Sequence, residues 1–467
     1  MAESGRIGIN GPTWVLQTSG DDTGLLTITP SGGDLTWNDT LSPWNTYRSI
    51  INSVKIEGQI QVADSANGLF SDLDRVTSFS GLYHLNMVKN GEVVQMIDMF
   101  RKSSIIKGYG VLGTSFWTVQ VKQEVGFLEI GAGEFEWQGL IKIPVGLQGE
   151  IQEIPTSPWD DYRIYIHKIN IMGKLTIKNS ARNLFYFLNR ATEITGLDLV
   201  ETINLTDIGG MFRNMWTLKS VDLSTFDTTL VTDMSFIFSN TWNLIEITFP
   251  HPPTGIWSTS NVTTMESMFF NAKSLPSIDV SQKGLDVSGW NTSKVTNMSS
   301  MFYCAYNLTY LNVAASDDGL IWDTSKVTDM SFMFFQCGVR QSAPPYDLDV
   351  SKWKIAIAQM TWMFYRDKPR ENPVIPYDPD NPATHQWESD PIKVDLTNWI
   401  PQWWDAEFYG FYACKANMFE LGSIEVLNEF DIIQITTPLS PPGLTYPDCE
   451  DYTSADCATI DVPYPRT

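Results

Sequence analysis

A phrase of eleven residues recurs along this chain and restricts it to repeat architectures. Residues 259–269 read Thr-Ser-Asn-Val-Thr-Thr-Met-Glu-Ser-Met-Phe, residues 292–302 read Thr-Ser-Lys-Val-Thr-Asn-Met-Ser-Ser-Met-Phe, and residues 324–334 read Thr-Ser-Lys-Val-Thr-Asp-Met-Ser-Phe-Met-Phe. Residues 228–238 are a variant. The closing residues Phe238, Phe269, Phe302 and Phe334 stand 31, 33 and 32 positions apart. A fixed period in this range marks a solenoid, in which one coil cannot bury its apolar side chains until a neighbour covers them.

Each repeat has a readable anatomy. Val231, Met234, Ile237 and Phe238 fall on one face at helical spacing, with Thr228 and Thr229 ahead of them as N-cap residues, so a short helical turn is expected. Beyond each Phe comes a Leu-x-x-Leu-x-Leu pattern: Leu218-x-x-Val221-x-Leu223, Leu244-x-x-Ile247-x-Phe249, Leu275-x-x-Ile278-x-Val280 and Leu308-x-x-Leu311-x-Val313. That spacing predicts a short strand with alternate residues inward. An aromatic residue (Phe226, Trp257, Trp290, Trp322) stands 12 positions before each Phe. The fold class expected is an α/β repeat solenoid, a leucine-rich-repeat-like stack of short parallel strands and helical turns with β-rich capping modules.

A longer duplication precedes the repeats. Ser42-Pro43-Trp44-x-x-Tyr47-Arg48 returns as Ser157-Pro158-Trp159-x-x-Tyr162-Arg163, an offset of 115 that also relates Leu69-Phe70 to Leu184-Phe185 and Gly81-Leu82 to Gly196-Leu197. The domains expected are a β-rich module over 1–112, its second copy over 113–207 capping the solenoid, the solenoid over 208–420 with an insertion loop at 366–392, and a C-terminal strand and Pro-rich tail over 421–467.

Composition narrows the function classes. The net charge of −23 opposes nucleic-acid binding through phosphates, which needs clustered Lys and Arg. No apolar run reaches the length of about 18 residues needed to span a bilayer, and no apolar stretch follows Met1, so neither a transmembrane helix nor a secretion signal is expected. Five cysteines do not make a disulfide framework. Cys304 and Cys337, at nearly equivalent repeat positions, read as buried thiols, and pairing of Cys449 with Cys457 is left open. The four histidines have no metal-ligand spacing, and no nucleophile elbow, phosphate loop or dinucleotide fingerprint occurs. No catalytic, cofactor or metal residues are expected.

Two sets of residues are candidates for recognition. The middle outward position of successive strands is Asp222, Thr248, Asp279, Asn312, Asp349 and Asp395, which stacking would align about 4.8 Å apart as a polar strip. The strip reads either as a binding face for sugar hydroxyls or a basic partner, or as a hydrogen-bonded ladder intrinsic to the repeat. Trp387, Trp403 and Trp404 are out of phase with the repeats and are candidate exposed aromatics, whereas Trp257, Trp290, Trp322, Trp353 and Trp399 hold phase and read as core.

The opening Thr13-Trp14-Val15-Leu16, the Gly-led Leu-x-Ile strand and the Ser-Pro-Trp-x-x-Tyr-Arg element resemble the start of BspA-like leucine-rich-repeat surface proteins. The Thr-Ser-x-Val-Thr-x-Met-x-x-Met-Phe phrase resembles the repeats of mycoplasma-type surface lipoproteins. The resemblance covers roughly residues 11–415. It implies a scaffold for extracellular contact, usually adhesion, with no catalytic residues to carry over. The function expected is a non-enzymatic recognition protein of a bacteriophage virion, on its tail or capsid surface, meeting other virion proteins and a host surface glycan or protein. Neither nucleic acid nor membrane insertion is expected, and homo-oligomer formation stays open. A bacterial cell-surface adhesin, a purely architectural virion component and a tailspike-like glycan-degrading enzyme are the alternatives.

Overall fold

The structure is a computed structural model. It describes residues 2–335 apart from short stretches, the longest being 251–255, 276–284 and 312–321, and beyond them Cys337, 347–348, Trp353, Met363 and 393–394. The insertion 366–392, Cys449, Cys457 and the C-terminal tail lie outside the described residues.

Both N-terminal copies are built alike. In the first, strands Ala2–Arg6, Thr13–Thr18 and Gly24–Thr29 form an antiparallel meander, and Ile51–Ile56 and Ser78–Ser80 then add in parallel. In the second, Ile106–Leu112, Ser115–Lys122 and Val125–Ile130 form the meander, and Lys168–Ile171 and Glu193–Thr195 add in parallel. A second, parallel sheet lines another side of each copy, through Leu35–Asn38, Ile60–Asn67 and Leu85–Asn86 in the first, and through Gly133–Glu136, Leu175–Ser180 and Val200–Glu201 in the second. Antiparallel strands can be joined by tight hairpins, whereas each parallel step needs the chain to travel a full circuit. The change from antiparallel to parallel pairing is therefore where coiling begins.

The expected helical turns are absent from the described repeats. Val231, Met234, Ile237 and Phe238 are all buried, as their spacing requires, but they lie in a string of tight turns. The backbone hydrogen bonds explain why. Met234, Phe236, Phe238 and Asn240 N–H groups donate to Thr264, Glu266, Met268 and Phe270 carbonyls of the next coil, at 3.2, 2.8, 2.9 and 2.6 Å. Met265, Ser267, Phe269 and Asn271 repeat the pattern onto Asn297, Ser299, Met301 and Tyr303. The alternate N–H groups close turns three residues back, as Ser239 does onto Phe236 and Thr241 onto Phe238. Half the donors an α-helix would use are thus committed to a neighbour.

Left-handed residues make this path possible. Gly210, Phe236, Ser267, Ser300 and Phe332 have φ between 52° and 62°, and Asn214, Asn240, Asn271 and Cys304, four positions later, have φ between 53° and 62°. None is β-branched, the class for which such a φ is most costly. At Gly210 a Cβ would also fall 2.1 Å from the Asn183 Oδ1. The asparagines, which tolerate left-handed backbone best after glycine, add a ladder of their own. Asn240 Nδ2 donates to Asn214 Oδ1 at 2.7 Å, and Asn271 Nδ2 to Asn240 Oδ1 at 3.0 Å.

One aromatic ring per coil forms the spine of the core. Trp159, Phe185, Phe212, Phe238, Phe269, Phe302 and Phe334 stack in order with centroids 5.5, 5.9, 5.7, 5.5, 5.6 and 5.5 Å apart. Each stacked pair adds about 0.5–1.5 kcal/mol beyond its area burial. The first copy carries a shorter spine, Trp44, Phe70 and Phe100, at 5.6 and 5.4 Å. The tryptophan of Ser-Pro-Trp therefore starts a stack in each copy.

The first core runs from Ile7 to Phe116, and the second, from Trp117 to Met363, is continuous with the repeats. Strand Ser115–Lys122 is their shared wall. Phe116 packs into the first core, while Trp117 and Val119 pack into the second, and residues 115–120 are buried on both faces. In the first copy the same register carries different chemistry. Trp14, paired with Ile28, corresponds to Trp117, paired with Ile130. Thr13 and Val15 then stand where Phe116 and Thr118 stand in the wall, and both are only half-buried. The same hairpin is an internal partition in the second copy and is buried less completely in the first.

Of the cysteines, Cys337 is buried, and its Sγ lies 3.5 Å from the Leu308 carbonyl oxygen. Cys304 is buried as well, as its repeat position led one to expect.

Candidate recognition faces

Stacking converts single residues into rows. Asp222 and Thr248 are brought together as directly opposed partners of the parallel strands Ser220–Asp222 and Glu246–Thr248, and both are exposed. The inward residues between them, Val221 and Ile247, are buried, so the alternation that defines the strip is set by the core. The Asp222 Oδ1 accepts from the Ser224 N–H at 2.9 Å, an Asx turn that fixes the carboxylate where the strand ends. Asp279, Asn312, Asp349 and Asp395 lie outside the described residues, as do Trp387, Trp403 and Trp404. Two further strands, Asp347–Leu348 and Lys393–Val394, pair in parallel immediately before Asp349 and Asp395.

The row extends in the other direction, into residues that sequence reasoning missed. Asn170 and Thr195 are opposed on Lys168–Ile171 and Glu193–Thr195, and the Thr195 Oγ1 donates to the Asn170 Oδ1 at 3.0 Å. Beside them Lys168 and Glu193 form an ion pair at 2.7 Å, exposed and so worth at most about 1 kcal/mol. The signal was present: Lys-Ile-Asn, Glu-Ile-Thr, Ser-Val-Asp and Glu-Ile-Thr are four polar–aliphatic–polar triplets.

The turn side carries a second surface that the sequence did not disclose. Trp216 and Trp242 stack at 5.1 Å, and the Lys273 ammonium lies 5.0 Å from the Trp242 ring and 5.7 Å from the Tyr306 ring. Arg213 lies 4.6 Å from the Phe236 ring, and Phe270, Tyr303 and Phe335 stack at 4.6 Å each. These positions stand at fixed offsets from the spine phenylalanines, so only the phase of the repeat reveals that they are neighbours.

Between the two surfaces runs a ladder of turn-capping residues. Asp207, Asp233, Thr264, Asn297 and Asp329 bridge from coil to coil. Each accepts the N–H two residues on: Gly209 onto Asp207, Ser235 onto Asp233, Glu266 onto Thr264, Ser299 onto Asn297 and Ser331 onto Asp329. Arg182, from the coil before, donates through Nε to Asp207 Oδ2 at 2.7 Å and through a second nitrogen to Asp233. It crosses over Gly209, where a Cβ would come within 2.6 Å of the guanidinium. Burial opposes the Arg182 charge, but Asp233 and Asp207 outweigh it and hold its pKa up. Burial pushes the Asp207 carboxyl up, with Arg182 acting against it. Among the described residues no group of three or more His, Cys, Asp or Glu side chains is arranged to hold a metal ion.

Comparison with known proteins bears on this array. Residues 180–282 and 278–385 match the family model described as "Mycoplasma protein of unknown function, DUF285". The match contains the capping ladder from Arg182 to Asp329 and the spine from Phe185 to Phe334. A solved leucine-rich repeat protein from Eubacterium ventriosum aligns with 80% of this chain and 97% of its own at 12% identity. Its TM-score of 0.21 is too low to carry an argument. No curated protein matches the sequence.

Proposed function

We propose that this chain is a non-enzymatic recognition protein, an adhesin whose stacked coils present ordered rows of side chains to a partner on a bacterial envelope. The observation that carries the reading is the polar strand row, in which the opposed pairs Asn170–Thr195 and Asp222–Thr248 lie over a packed core, Thr195, Asp222 and Thr248 exposed and Asn170 half-buried. Such a row offers hydroxyl, amide and carboxylate groups at a repeat of about 4.8 Å. Those groups suit hydrogen bonding to the hydroxyls of a glycan or to an extended polar segment. The order costs little on binding, because the row is held by packing beneath it.

The finer setting proposed is the outside of a bacteriophage particle, where the chain contacts both other virion proteins and the host envelope. Purified chain applied to immobilised envelope polysaccharides and to intact cells tests the recognition reading, with saturable binding and unchanged glycan chain length expected. Shortened glycan chains would overturn the non-enzymatic reading, and absence of binding across a broad panel would overturn recognition. Antibody labelling of particles tests the setting: decoration of tail or capsid supports it, and bare particles refute it.

A further inference from the structure

The capping ladder has one irregular rung. At the position two residues beyond the ladder, the coils carry Gly209, Ser235, Glu266, Ser299 and Ser331. Where the ladder residue is Asp233 or Asn297, the serine at this position returns a hydroxyl bond, Ser235 Oγ to Asp233 at 2.6 Å and Ser299 Oγ to Asn297 at 2.8 Å. In the middle coil the ladder residue is a threonine and the acid is displaced to Glu266. This half-buried carboxylate accepts from the neutral Asn297 amide, Nδ2 to Oε2, at 3.0 Å.

The charged groups that act on Glu266 are few. Asp233, one coil before, and Asp329, two coils after, oppose its charge. Arg213 favours it, but that guanidinium lies over the Phe236 and Tyr186 rings, at 4.6 and 5.8 Å. Arg182, the strong cation of the ladder, is engaged by Asp207 and Asp233. The rung is thus a carboxylate held by a neutral donor between two like charges.

We propose that Glu266 is a proton-operated clasp between coils: taking up a proton removes its repulsion from Asp233 and Asp329 and tightens the stack in mild acid. Burial, then Asp329 and Asp233, push the Glu266 carboxyl above its ordinary value, with the Asn297 hydrogen bond and Arg213 opposing. The direction of the effect follows by linkage. Below the ordinary carboxylate value of 4.5 both folded and unfolded chains hold the proton, and no penalty exists. As pH rises from there through the elevated folded value, the unfolded chain releases its proton first, and the array loses stability. Nearest-neighbour stacking confines the change to the coils around Glu266.

The test is thermal unfolding of the full chain together with residue-resolved hydrogen exchange of 233–329, from pH 4.5 to 8. For Glu266→Gln, a neutral carboxyl mimic, the midpoint at pH 7.5 should rise by about 2–4 °C, and protection in 233–329 should lose its pH dependence. Glu246→Gln, on the exposed strand face, should leave both unchanged and serves as control. Persistence of the wild-type pH dependence in Glu266→Gln, or an unchanged or lower midpoint at pH 7.5, would overturn the proposal.

Discussion

At the scale of single residues, backbone hand governs this protein more than side-chain identity does. Ser267 has φ of 52° and is fully enclosed. An L-residue there costs about 1–2 kcal/mol and a β-branched one more. Ser267→Val should therefore destabilise by about 2 kcal/mol or more, and Ser267→Gly should be neutral or stabilise by up to about 1 kcal/mol. Equilibrium urea unfolding ranks the two, and the reverse order would show that the turn path is not the one described. Asp72 gives a contrasting pH response in the first core. The Lys102 and Arg101 bonds hold its carboxyl below the ordinary value of 3.8. Its contribution is present above 3.8 and is lost as pH falls through the lowered folded value. Below pH 4, the first core should weaken while the coils around Glu266 hold. Residue-resolved hydrogen exchange separates the two, and joint weakening would contradict the assignment.

At the scale of elements, much of the repeat was legible and its backbone was not. The spacing of Val231, Met234, Ile237 and Phe238 correctly marked a buried face, because those four side chains do point inward. The same spacing arises from a helix and from consecutive tight turns, and inter-coil donors decided between them. Such donors belong to pairs of repeats about 30 residues apart, so a window on one repeat cannot reveal them. Far-UV circular dichroism should accordingly lack the paired minima of an α-helix, and minima of the size expected for one helical turn per repeat would contradict the ladder. The spine gives a second test. Phe269, between Phe238 and Phe302, should cost about 3–5 kcal/mol when replaced by alanine. Hydrogen exchange should rise in the flanking coils and much less in the first module, whereas uniform loss across the chain would count against nearest-neighbour stability.

At the scale of the whole molecule, one duplicated hairpin is set in two surroundings. The offset between the copies was visible in Ser-Pro-Trp, but the partition role of Ser115–Lys122 was not, because it depends on which module stands in front of the strand. Phe116→Ala should weaken the first core while Trp117 and Val119 still close the second, so calorimetry should show the first-core transition moving down alone. A parallel fall of both transitions would mean that the cores unfold as one unit. The polar row was only half legible. Asp222 and Thr248 were found through the leucine spacing, and Asn170 and Thr195 were missed because their strands carry no leucine triplet. The most direct test of recognition is therefore made on the row itself. Binding of the chain to envelope glycans and intact cells should be measured beside the double variant Asp222→Arg/Thr248→Arg, with melting recorded for both. The account predicts at least a tenfold loss of affinity, roughly 1.4 kcal/mol or more, with the variant still folded and its melting midpoint lowered by only a few degrees through the lost Asp222 turn bond and the two opposed arginines. Undiminished binding by the folded variant would contradict it.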